Sequence, residues 1–269
     1  MISERSPRNS VSSAEAAGFR LTGAGFAYNG TFALRSVDLE IGAGEALALV
    51  GPSGAGKTTL LRLLNGTLRP QDGSVSVDGQ NLAGLSPRAL RRVRTRIGFV
   101  HQDLDLVPNL RVSQNVAAGK LGRLTFLGSM RAMLFPPTEE LERAHRILER
   151  VGIPEKLFER TDTLSGGQQQ RVAIARALFQ EPSALFADEP VSSVDPARAR
   201  DTVALLTEIS RERGLTLVAS LHNLDLAREF FPRLIGLRAG RVVFDRRAAD
   251  IHEREFHALY DLAPLPDRS

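Results

Sequence analysis

The most constraining stretch is Gly51, Pro52, Ser53, Gly54, Ala55, Gly56, Lys57 and Thr58. These residues satisfy G-x-x-x-x-G-K-[ST] at every fixed position. Their flanks also suit the motif. The apolar run Ala46–Val50 comes before, and Leu60, Leu61, Leu63 and Leu64 follow at helical spacing. Such a strand, glycine turn and helix aims backbone N–H groups and the positive end of a helix at one anion. Lys57 is placed to bridge the outer phosphates of a nucleotide, and Thr58 to offer a hydroxyl to Mg²⁺, with Thr59 next in the cradle. By itself the motif leaves kinase, GTPase and ATPase open.

Composition narrows the class. The 269 residues carry a formal charge of only +4, which reads as an ordinary solvated surface. Only Lys57, Lys120 and Lys156 are lysines among 35 basic residues, so a chain that prefers arginine has kept a lysine in the loop. Cysteine is absent, which excludes disulfides, thiolate zinc sites and a cysteine nucleophile. No apolar run approaches the ~18–20 residues needed to span a bilayer. The polar residues 1–17 read as a flexible N-terminal tail.

Strand and helix signals alternate along most of the chain. Strands are expected at 46–50, 73–79, 97–100, 184–188 and 215–221, with a hairpin-like pair about Ala239 and Gly240. Helices are expected after the loop, after Ser86 and Pro87, from Thr138 to Val151, from about Ser165 to Phe179, and from Pro196 to Arg213. On the helix at 138–151, Leu141, Ala144, Leu148 and Val151 share a face. Alternation of this kind predicts an α/β sandwich with a largely parallel sheet. Residues of about 88–164 are mainly helical and read as an insertion into it.

Two further segments carry chemistry. The apolar run Ala184–Asp188 ends in Asp188 and Glu189, one acid suited to Mg²⁺ and the next to a water nucleophile. On local sequence alone an acidic surface turn before Pro190 explains them equally well. Leu164, Ser165, Gly166, Gly167 and Gln168 open a helix with a hydroxyl and two glycines, a second anion cradle or an ordinary cap.

Taken in order, these motifs resemble the ATP-binding subunits of ABC transporters. LSGGQ is that family's signature, and the loop, Gln102, the signature, Asp188–Glu189, Ser192–Asp195 and His222 follow in the family's order. The resemblance covers roughly residues 18–248, with 249–269 as a C-terminal extension. It implies a P-loop NTPase (RecA-like) core, an N-terminal antiparallel β subdomain and an inserted α-helical subdomain at about 88–164. It implies ATP and Mg²⁺, with Thr58, Gln102 and Asp188 at the metal and Lys57, Gln102, Glu189 and His222 in hydrolysis. Tyr28 corresponds to the aromatic that stacks on adenine, although read alone it is a packing residue. Ser165, Gly166, Gly167 and Gln168 correspond to the signature that meets the γ-phosphate held by a second copy. Asp195 corresponds to the loop joining the two sites. His101, His145, His252 and His257 read as structural or exposed.

The same resemblance implies a head-to-tail homodimer around two ATPs. It also implies transmembrane permease subunits, an indirect substrate-binding protein, and a peripheral place on the cytoplasmic face of the inner membrane. The basic run from Arg88 to Arg96 lacks stacking aromatics, so no nucleic acid is expected. The segment 115–135, the triple glutamine at 168–170 and the stretch 220–227 look like the phosphonate-import branch. An amino-acid importer, a lipoprotein or drug exporter, and a soluble ABC ATPase are the alternatives. His101 and Asp103 depart from the residues common beside Gln102, and Ser192–Asp195 departs from Ser-Ala-Leu-Asp. None of these removes a catalytic group.

Overall fold

The computed structural model describes residues 15–191 and 196–260. Strands β1 (Phe19–Tyr28) and β2 (Thr31–Ile41) form an antiparallel hairpin. Asn29 and Gly30 turn it, both at positive φ, the geometry that matches strand twist in a two-residue loop. After β3 (Ala46–Val50) and α1 (Lys57–Leu64), strand β4 (Asp72–Val77) pairs with β1 and with the short β5 (Gln80–Asn81). This gives an antiparallel sheet of order β2-β1-β4-β5.

The next segment holds α2 (Pro87–Arg94), β6 (Ile97–Val100), α3 (Val112–Ala117), α4 (Phe126–Leu134), α5 (Thr138–Arg150) and α6 (Gly166–Phe179). The remainder runs β7 (Ala184–Asp188), α7 (Pro196–Arg213), β8 (Thr216–Leu221), α8 (Leu224–Phe230), β9 (Arg233–Arg238), β10 (Arg241–Arg247) and α9 (Glu253–Tyr260). The second sheet has the order β10-β9-β3-β8-β7-β6 and is parallel except for β10. Continuous apolar strands such as β3 and β7 fit its middle, where both faces are covered.

Helix α1 lies between the sheets and touches strands of both. Phe19, Leu34, Leu49, Leu60, Leu63 and Phe186 pack there. A larger core on the other face joins α3, α5 and α6 to α7, α8 and α9.

Three expectations on organisation change. β6 belongs to the central sheet, so the helical insertion begins after Val100 rather than near residue 88. Ala17, expected in the tail, is buried, and its carbonyl accepts from Thr216 Oγ1 at 2.6 Å. Within the expected C-terminal extension, Ile251, Phe256 and Leu259 enter the large core, with Phe256 edge-on to Phe244 at 6.0 Å. Residues 1–14 and 261–269 lie outside the described residues.

Candidate active site

Parallel register brings the chemistry to one sheet edge. Val50 pairs with Leu221, and Asp188 with Ser220, so β3, β7 and β8 end together. The glycine loop leaves the first, the carboxylate pair the second and His222 the third. In the loop, two glycines answer to close backbone approach. A Cβ on Gly51 (φ 150°) would stand 2.1 Å from Leu237 O, and one on Gly56 (φ 107°) 2.5 Å from Ala33 O. Ala55 is buried and donates its N–H to Pro52 O at 3.1 Å, while Ser53 and Gly54 are exposed. Thr59 is buried on α1.

Lys57 is only 3% exposed. Its Nζ donates to Gly51 O at 2.9 Å and Pro52 O at 3.2 Å, and lies 3.4 Å from Glu189 Oε1. Burial lowers its pKa below the ordinary value, while Glu189 and Asp188 push back. Thr58 Oγ1 donates to Asp188 Oδ1 at 3.1 Å. Asp188 is 4% exposed, so its carboxylate belongs to the interior and not to a surface turn. Ser220, fully buried, donates from Oγ to Asp188 Oδ1 at 2.8 Å and accepts the Glu189 N–H at 2.7 Å. That second bond holds Glu189 in the left-handed region, at φ 46°. Glu189 Oε1 accepts from His222 Nε2 at 2.6 Å. One carboxylate thus stands between an imidazole and an ammonium.

A cleft of about 320 Å³ opens in front, lined by Tyr28, Thr31, Phe32, the loop and Glu189. The Tyr28 ring is braced edge-on by Phe26 at 4.8 Å and keeps 43% of its surface exposed.

Other expected residues are placed apart. Gln102 sits in the turn past β6, level with the end of β7, exposed and outside the Thr58–Asp188–Ser220 network. Ser165 caps α6. Its Oγ accepts the Gln168 N–H at 3.4 Å, and Gln168 Oε1 accepts the Ser165 N–H at 3.0 Å. Neither these residues nor Gly166 and Gly167 line the cleft. Asp195 lies outside the described residues. Of the remaining histidines, His101 stacks on Phe99 at 4.3 Å, and His145 and His252 are exposed.

Three residues at the site went unseen in the sequence. Ser220 carries no local mark beyond its place in a strand. Phe32 is an exposed ring in the cleft, visible only as an aromatic near Tyr28. Tyr260 donates its hydroxyl to His222 O at 3.3 Å, from a helix distant in sequence.

Comparison with known proteins shows the family. Residues 34–192 match the family described as ABC transporter. The chain is 49% identical over 241 residues to the phosphonates import ATP-binding protein PhnC of Anaeromyxobacter dehalogenans, across 90% of this chain and 48% of that one. It therefore spans about half that relative's length. It is 44% identical over 232 residues to the phosphonates import ATP-binding protein PhnC 3 of Halalkalibacterium halodurans, across 86% of this chain and 89% of that one. Among solved structures it is similar to the dimeric MJ0796, a bacterial ABC transporter cassette. The TM-score there is 0.76 at 31% identity, across 86% of this chain and 98% of that one. The chain belongs to the ATP-binding cassette family of ABC transporters.

Proposed function

We propose that this chain is the ATP-hydrolysing subunit of an importer for phosphonates or related phosphorus oxyanions. The observation that carries the catalytic part is Glu189 Oε1, held at 2.6 Å from His222 Nε2 and 3.4 Å from Lys57 Nζ beside the phosphate loop. In this reading Glu189 receives the proton of the attacking water, and His222 orients that carboxylate and meets the γ-phosphate. Lys57 neutralises the outer phosphates, Tyr28 stacks on the base and Gln102 reports on the nucleotide to the permease. Thr58 Oγ1 and Asp188 Oδ1 form a pair of hard oxygen donors 3.1 Å apart, which suits Mg²⁺ completed by phosphate and water. Bound there, the ion would neutralise charge on the transferring phosphate.

The signature supports a second copy. Gly166 and Gly167 lack the positive φ that favours glycine, and a Cβ on either would meet nothing within 4 Å. Nothing among the described residues requires them, which supports a contact from outside, with the nucleotide on a partner copy. Asp195, after Glu189, would join the two sites. ATP then drives closure because it binds the closed pair better than the open one.

The ATPase domain in this account includes Ala17 and the docked segment through Leu259, with its helical part offered to the permease. The chain sits peripherally on the cytoplasmic face of the membrane, and a binding protein delivers the substrate. Among the described residues, no helix is long and apolar enough to cross a membrane. The relatives named as phosphonate importers, at 44–49% identity, set the substrate class. Reconstitution with permease and binding protein tests it. A phosphonate should raise ATP turnover, and stimulation by an amino acid or sugar alone would refute the assignment.

A further inference from the structure

The turn after β6 contains two consecutive non-glycine residues in the left-handed region, Leu104 at φ 59° and Asp105 at φ 49°. There the Cβ crowds the following carbonyl oxygen, so such a pair persists only where its surroundings hold it. Arg176 on α6 holds this one. Its Nη1 donates to Asp105 O at 2.5 Å and its Nη2 to Leu104 O at 2.7 Å. A planar guanidinium fits two neighbouring acceptors where an ammonium meets one.

Arg176 is itself fixed. The residues around it on α6, Ala173 to Phe179, are otherwise buried in the large core. The backbone after α3 packs so closely here that a Cβ on Gly119 would lie 2.2 Å from Arg176 O. The far end of the same loop is also tied towards α6. Asn115 Oδ1 accepts the Val107 N–H at 2.9 Å, and Asn115 Nδ2 donates to Thr161 Oγ1 at 2.8 Å. Gln169 of α6 then donates to Thr161 O at 3.2 Å.

We propose that Arg176 is a positioning residue. It locks the loop that carries Gln102 to the helix that carries Ser165, Gly166 and Gly167, so that both shift as one body. This rests on the roles proposed above for Gln102 and the signature. The strained turn makes the lock two-state. With both carbonyls held the loop keeps its shape, and without the guanidinium it relaxes away from the left-handed pair.

The chain has no cysteine, so a nitroxide on Asp103→Cys reports loop mobility cleanly. In Arg176→Met the label should become mobile without nucleotide. The kcat should fall roughly tenfold, with KM for ATP within about twofold, because the phosphate loop is untouched. The same substitution is then made in a Leu104→Gly, Asp105→Gly background, where the left-handed turn needs no holding. There the loss should shrink to under about a third of its size in the native loop. An immobile label in Arg176→Met, or equal losses in both backgrounds, overturns the proposal. Should Arg176→Met fail to fold, Arg176→Lys is judged by the same two results. A wild-type chain without ATPase activity would remove the assigned function and leave the mobility result readable.

Discussion

Ser220→Ala is the sharpest test of how the carboxylate pair is held. The change removes a donor to Asp188 Oδ1 at 2.8 Å and an acceptor for the Glu189 N–H at 2.7 Å, both at a fully buried position. A hydrogen bond to a charged group contributes about 1.5–3 kcal/mol, and an orphaned buried donor costs about 1–3 kcal/mol. The two losses share one atom and do not simply add, so the expected destabilisation is about 2–4 kcal/mol. Glu189 also loses a tether in its left-handed conformation. If about 1.4 kcal/mol of that reaches the transition state, kcat falls roughly tenfold. Urea unfolding measures the first quantity through the midpoint at constant m, and steady-state turnover measures the second. Ser210→Ala is the comparator. Ser210 is equally interior but donates to a neutral carbonyl, Leu215 O at 2.7 Å, away from the carboxylates. It should cost about 1 kcal/mol and leave kcat unchanged. A Ser220→Ala protein no less stable than Ser210→Ala, with native turnover, would refute the reasoning.

The other predictions concern the same sheet edge. Lys57→Arg keeps the charge but places a planar fork where one ammonium sits between Gly51 O and Pro52 O. Turnover should drop at least about a hundredfold, as in Lys57→Ala, and near-native rates in either would remove Lys57 from the site. Burial holds the Lys57 pKa below 10.5 in the folded chain. Between the folded value and 10.5 the unfolded chain binds the proton and the native one does not, so this group favours folding more as pH rises through that window. Bound phosphates favour the charged form, so ATP affinity should begin to fall at a pH below 10.5. In Glu189→Gln, which lacks the carboxylate that raises the Lys57 pKa, the fall should start at lower pH. Titration of ATP binding against pH measures both, and coincident curves would contradict the pairing. Tyr260→Phe removes the hydroxyl on His222 O and should lower kcat by about two- to tenfold with KM unchanged. A shift in KM alone would deny Tyr260 that role.

Much of this arrangement was legible from residues alone. β3 and β7 announced themselves as unbroken apolar runs bounded by glycine or acid, the mark of strands covered on both faces. β1 and β2 alternate only in part, at 19–22 and 37–41, because the β1–β2 register shifts three times and Gly23 turns left-handed, which breaks the period of two between them. On α5 the expected Ala144, Leu148 and Val151 are buried, Ile147 joins them, and Leu141 is only half buried. α8 has seven residues, too few for periodicity to register, and only its Asn223 cap marks it.

At the site, the glycine-loop motif and the end of an apolar strand marked Lys57, Asp188 and Glu189, while only the family resemblance marked His222. None of these marked Ser220 and Tyr260, whose roles exist only through partners far away in sequence. C-terminal docking was hidden for a similar reason. Among the described residues of that charged segment, Ile251, Phe256 and Leu259 turn inward.

The central claim is that two copies close around ATP, each offering its signature to the other's phosphate loop. Glu189→Gln keeps the shape of the site and removes the proton acceptor, so ATP binds and is not consumed. Sedimentation of that variant with ATP and Mg²⁺ measures the claim most directly. The account predicts a species of twice the 29.3 kDa chain mass with ATP, and return to the single-chain mass with ADP. A variant that binds ATP and stays at the single-chain mass would contradict it.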